Sequence, residues 1–120
     1  MHKNIEEIEE LIKKHTGQQG LAKQMELAAG AEEDYEIAAL NRARYNGSKI
    51  VLRKVQTIIN PLPESQDEFQ SRLKAAINEI EKWKNNHAVS PDAESIAVYR
   101  SFGYCEIAIE LIDELKFLQA

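Results

Sequence analysis

Cysteine occurs once in this chain of 120 residues, proline three times and glycine five times, and aromatic side chains make up only 7% of it. Each shortage removes a class of structure. A single cysteine, Cys105, forbids an intrachain disulfide and points to a reducing, cytoplasmic compartment. So little glycine and proline excludes collagen-like and low-complexity chains. No uninterrupted apolar run exceeds four residues, as in Ile96-Ala97-Val98-Tyr99, whereas a membrane-spanning helix needs about twenty. Glu6, Glu7, Glu9 and Glu10 stand where a secretory leader would need an apolar stretch, so no leader is expected. The glycines never form GxGxxG or a P-loop, no CxxC is present, and the three histidines are scattered without a second histidine at helical spacing. Phosphate cradles, zinc sites and ferritin-like di-iron sites are therefore not expected, and no cofactor is implied. What is present is ordinary for one soluble domain: 43% hydrophobic and 29% charged residues, with a net charge of −5.

The apolar spacing is helical throughout, and no alternating β-branched run bounded by turns suggests a strand. Asn4 followed by Glu7 resembles a capping pair, after which Ile5, Ile8, Leu11 and Ile12 share one face. Lys13, Lys14, His15 and then Gly17 look like the basic last turn and stop of a short first helix ending near His15. A second helix is expected from Gln18, through Leu21, Met25, Ala28, Tyr35 and Ala39, toward Leu52, Val55 and Ile59. Asn46-Gly47-Ser48 either kinks it or divides it into two. Pro61-Leu62-Pro63 is a firm stop, and Ser65 with Glu68 makes a capping box. From there Phe69, Leu73, Ala76, Ile77, Ile80 and Trp83 form one narrow apolar stripe, which runs out at Asn85-Asn86-His87. Ser90-Pro91 reads as a capping serine with proline at the first helical position, opening a last helix from about Pro91 to Leu118. Its apolar residues, from Tyr104 and Cys105 through Ile107, Ile109, Leu111 and Ile112 to Leu115, cover more than half the circumference. Such a helix must be covered on two sides. The expected fold is an all-α bundle of four or five helices in one domain, with a long second helix.

Charge is segregated. Residues 41–60 hold Arg42, Arg44, Lys49, Arg53 and Lys54 and no acid, a local +5 in an acidic chain. On a continuous helix Arg42, Asn46, Lys49 and Arg53 form a stripe with Tyr45 beside it as a stacking surface. Glu106, Glu110, Asp113 and Glu114 make an acidic strip on the last helix, with Lys116 the only cation near it in sequence. Either the two strips neutralise each other, Arg42, Lys49 and Arg53 against Glu106, Glu110 and Asp113, or the basic one awaits an external anion such as a nucleotide, RNA or an acidic protein surface, or it is a solvated face with no role. Duplex DNA does not fit an acidic chain without a helix-turn-helix. Tyr99 and Phe102, with Gly103 on the same broad face, either pack inside the bundle or form a patch for a partner or a second copy.

Glu6, Glu7 and Glu10 spell EExxE on the first helix, and Glu110 with Asp113 spells ExxD on the last. Together they resemble the magnesium-binding pattern of all-α nucleotide pyrophosphatases of the MazG type, in which carboxylates from facing helices hold Mg²⁺ on a substrate triphosphate. That resemblance implies a magnesium-dependent enzyme, although the two motifs here stand about a hundred residues apart instead of within a few turns. Without it, the acids of the first helix complement the helix dipole and pair with Lys13 and Lys14. The reading favoured by the whole sequence is a small non-enzymatic binding protein that self-associates. Its size and class are those of adaptors, inhibitors and sequestering proteins, including accessory proteins of phages and mobile elements.

Overall fold

Thirty residues near the start of the chain wind into a single helix, α1 (His2–Ala31), where the sequence suggests a stop near His15. The computed structural model describes residues 1–90 and 92–120, and among these it contains three further helices: α2 (Tyr35–Gln56), α3 (Gln66–His87) and α4 (Ser95–Lys116). The result is an all-α bundle of four helices.

α1 is continuous because its inward seam is continuous. Ile5, Ile8, Ile12, His15, Gln19, Ala22, Glu26 and Ala29 recur at the three-and-four spacing of a heptad seam, and all are buried or half-buried. Only the first three are large and apolar; the rest are small or polar, which hides the period from a search for hydrophobic residues. Each polar member meets a partner: His15 faces Glu114, Gln19 donates to Ser48 Oγ at 3.0 Å, and Glu26 accepts from Arg42 at 3.3 Å. Asn4 does not cap α1, whose N-cap is Met1 without a side-chain bond. Lys14 reaches α4 and not Glu10.

The break falls at Glu32–Asp34, just after Gly30, whose interruption of the helical pattern is weak in the sequence, and the turn itself contains no glycine or proline. Glu33 sits in the left-handed region at φ 60°, Asp34 N–H donates to Ala29 O at 2.9 Å, and Glu33 N–H donates to Gly30 O at 3.1 Å. Those two bonds are the Schellman arrangement that ends a helix, with glutamate in place of the usual glycine. Asp34 then caps α2 by accepting from Ile37 N–H. α2 runs unbroken through Gly47, which serves packing: a Cβ there would come within 3.0 Å of Tyr104 and 3.1 Å of Trp83. Tyr104 packs edge-on to Trp83, and both rings lie near His87.

Ser65 caps α3 as its spacing predicts, accepting from Glu68 N–H. The Glu68 carboxylate in turn accepts from Glu64 N–H, which holds its pKa below the usual value, with Arg72 adding to the effect. The stripe Phe69, Leu73, Ala76, Ile77 and Ile80 is buried as expected. α4 starts at Ser95 rather than near position 91, and Pro91 itself lies outside the described residues. Ser90 instead closes a turn, accepting from Asp92 N–H through its hydroxyl and from Ala93 N–H through its carbonyl.

α2 packs against both α1 and α4, and α3 rests on α4 and more lightly on α2. Ser95 donates to Glu36 at one end and Arg44 meets Glu106 further along, so α2 and α4 run parallel, with α3 as the crossover between them. The helices come closest where Gly103 of α4 crosses α2: a Cβ there would lie 2.5 Å from Leu40 O and 2.7 Å from Ala43 Cβ. The apolar core sits at the other end, where Ile8, Val51, Val55, Ile58, Phe69, Leu73, Ile80, Leu111 and Leu115 are fully enclosed. No helix among the described residues is long and apolar enough to cross a membrane.

Candidate functional site

Because α2 is one helix, its cations divide between faces. At about 100° per residue, Arg42, Lys49 and Arg53 share a stripe, while Arg44 turns toward α4 and Lys54 toward α3. Arg44 makes a bidentate pair with Glu106, donating from Nε to Oε2 at 3.1 Å and from Nη2 to Oε1 at 2.9 Å, and Lys54 lies 3.7 Å from Glu79. Arg42 is held by Glu26 of α1. Lys49 stands 4.6 Å from the centre of the Tyr45 ring, whose other neighbour is Lys23 at 5.3 Å. Arg53 is exposed and has no acidic partner among the described residues.

The two charged strips therefore do not neutralise each other in register. Among the described residues their single link is Arg44 with Glu106, since Arg42 is taken by Glu26 of α1 and neither Lys49 nor Arg53 reaches an acid of α4. Glu110 and Glu114 are met from α1, and Asp113 has no cationic partner among the described residues. Lys14 Nζ donates to Glu114 at 3.1 Å and lies 3.8 Å from Glu110. The hydrogen bond to Glu114 and that residue's charge are the main causes that raise the Lys14 pKa, with Glu110 adding less. His15, wholly buried, has Nε2 at 2.8 Å from Glu114 Oε1, while its Nδ1 has no partner. In the tautomer protonated at Nε2, that nitrogen donates to the carboxylate.

His15, Glu110 and Glu114 bring ligand atoms within 4.8 Å of one another. A cation already occupies the neighbourhood, because the Lys14 ammonium bridges the two carboxylates. Of the EExxE and ExxD residues, only Glu110 belongs to this trio. Glu6, Glu7, Glu10 and Asp113 do not join it, and no cluster of them forms among the described residues. Histidine spacing along the chain gave no sign of the trio, whose members come from α1 and α4.

The aromatic pair behaves differently from the charges. Tyr99 and Phe102 pack edge-to-face with ring centres 6.4 Å apart, yet Phe102 remains 59% exposed. With Leu40 of α2 and Cys105 and Ile109 of α4 they line a shallow apolar groove bordered by Glu106 and Glu110. Ile109 is 48% exposed. Cys105, expected among the packing residues of the core, is half-buried in this groove, its sulfur 3.9 Å from Ser101 Oγ. Across Glu106 and Glu110 the surface continues into a second groove holding Leu21 and Met25 of α1, both exposed. Leu40, Ile109, Leu21 and Met25 are members that sequence reasoning missed, because each belongs to an apolar face that looks like core until the neighbouring helix is placed.

No protein-family model, curated protein or solved structure matches this chain.

Proposed function

We propose that this chain is a non-enzymatic binding protein that acts through the open face of α4, and that it binds the same face of a second copy. The observation that carries the reading is the exposure of Phe102 and Ile109 in one groove with Tyr99, Cys105 and Leu40. Large apolar side chains gathered on one continuous face mark an interaction surface, whereas singly scattered ones do not. The acids of α4 support a binding role over catalysis, since Glu106, Glu110 and Glu114 are engaged by Arg44, Lys14 and His15.

Charge along α4 favours self-recognition in one orientation. Residues 95–105 carry Arg100 and no acid, whereas residues 106–114 carry Glu106, Glu110, Asp113 and Glu114. Two copies laid antiparallel set each acidic half against the acid-free half of the other, next to the positive end of its helix dipole. A parallel arrangement would stack acid on acid. The antiparallel one is an isologous twofold contact, the commonest closed symmetry. An unpaired cysteine in the groove fits a reducing, cytoplasmic setting.

Sedimentation velocity tests the proposal. The wild type is expected at twice 13.7 kDa at micromolar concentration, and the pair Phe102→Glu and Ile109→Lys, both at exposed positions, is expected to return it to a folded monomer. A wild type that stays monomeric at every accessible concentration, or a dimer indifferent to both substitutions, overturns it.

A further inference from the structure

About 160° round α4 from Phe102, at 100° per residue, Arg100 faces a different depression. It is a cleft of about 850 Å³ between α1, α2 and the start of α4. That volume lies within the range of about 300–1,000 Å³ usual for small-molecule sites. Three cations from three helices line it: Lys23 of α1, Arg42 of α2 and Arg100 of α4. The only acid in its lining is Glu26, whose nearly buried carboxylate is already shared between Lys23 at 3.2 Å and Arg42 at 3.3 Å. The cleft thus holds a net charge of +2, three cations against one acid, in a chain of net −5.

Folding does not account for this charge. Arg100 has no acidic partner among the described residues. Arg42 spends only Nε on Glu26, so its two terminal nitrogens remain available as a fork, the geometry that matches phosphate oxygens. Glu26 fixes the ammonium and the guanidinium in place before any ligand arrives. The floor has a separate character: Gly30, Ala31, Ala38 and Ala39 present nothing larger than a methyl group, and Tyr35 stands 62% exposed at the edge. Gly30 has a negative φ, and a Cβ there would meet no atom within 4 Å, so neither backbone nor packing requires glycine. Between Ala31 and Tyr35 lies the acidic turn Glu32–Asp34. The site therefore combines three cations with an apolar shelf of small residues beside an exposed aromatic ring.

We infer that the cleft binds a nucleoside monophosphate, its phosphate held by Lys23, Arg42 and Arg100 and its base lying on the shelf against Tyr35. One phosphate suits the three cations and the shared carboxylate. A triphosphate or an RNA strand carries more negative charge than the net +2 of the lining balances.

Isothermal titration calorimetry with the four common ribonucleoside monophosphates, with adenosine, with inorganic phosphate and with a short single-stranded RNA tests this. At least one monophosphate is expected to bind, with adenosine and inorganic phosphate each weaker by about tenfold or more, since each keeps half of the contacts. Arg100→Gln is expected to weaken binding by about tenfold, and Gly30→Leu to abolish it by filling the shelf. Both positions are exposed, so circular dichroism should show both variants folded. No heat with any monophosphate, binding that survives Arg100→Gln and Gly30→Leu unchanged, or binding of the RNA strand alone would each overturn the inference. Monomeric Phe102→Glu protein should still bind the nucleotide, which separates this result from the test of self-association.

Discussion

The two ends of the bundle are held together by different chemistry. At one end, where α3 lies against α2 and α4, enclosed Val51, Val55, Ile58, Phe69, Leu73, Ile80, Leu111 and Leu115 fill a conventional apolar core. At the other, where α1 and α2 meet the start of α4, the buried residues are Ala22, Glu26, Ala29, Asn41, Ala43, Ser48, Ser101 and Gly103. None of these is a large hydrophobe. Close helix approach and ion pairs take the place of side-chain bulk there, and the large apolar residues of that end, Leu21, Leu27, Tyr35 and Phe102, are exposed instead. Both the open groove and the cationic cleft lie toward this second end. The comparison teaches a division of labour, in which one end secures the fold and leaves the other free to present a surface.

The largest expected effect lies in the apolar end. Leu111→Ala removes a fully enclosed side chain and should cost about 2–5 kcal/mol, measured by denaturant unfolding. Truncating exposed Leu27 should change stability by less than about 0.5 kcal/mol. A comparable loss at both positions would erase the distinction between the ends. Next comes the crossing itself. Gly103→Ala places a methyl group against Leu40 O and Ala43, and should cost about 1–3 kcal/mol through overpacking, although alanine is the better helix former. An unchanged or raised midpoint would show that α2 and α4 are not in close contact there. The smallest effect is a gain. Glu33→Gly relieves the left-handed backbone at the α1–α2 turn and should raise stability by about 0.5–1 kcal/mol, without altering association.

The same contrast explains what could be read from the sequence. α3 was legible because Ser65 and Glu68 announce its start and one stripe of large residues marks its buried face. The end of α1 was not. Its seam continues through His15, Gln19 and Glu26, whose burial depends on partners in other helices, and its true stop uses Glu33 where glycine is the recognisable signal. Gly17 and Gly47 drew attention as breakers although both lie inside helices. The site was legible in part. Phe102 and Tyr99 stood out as a candidate patch, and Arg42 as a candidate anion contact. Lys23 and Arg100 are isolated cations in the sequence, brought beside Arg42 only by the packing of α1 and α4 on α2. Arg44 and Lys54 belonged to the basic segment by proximity in sequence, but the helical turn sends them to Glu106 and Glu79.

Amide hydrogen exchange read by mass spectrometry, at low and at high protein concentration, tests the division of labour most directly, because protection reports local opening free energy segment by segment. Residues 51–58 and 69–80 should exchange slowly at both concentrations, since they open only with the whole fold. Residues 36–44 and 97–109 should exchange faster in the dilute monomer and gain protection as the protein is concentrated, because the open face of α4 is then covered. Uniform protection along the chain, or concentration-dependent protection confined to α3, would contradict the account.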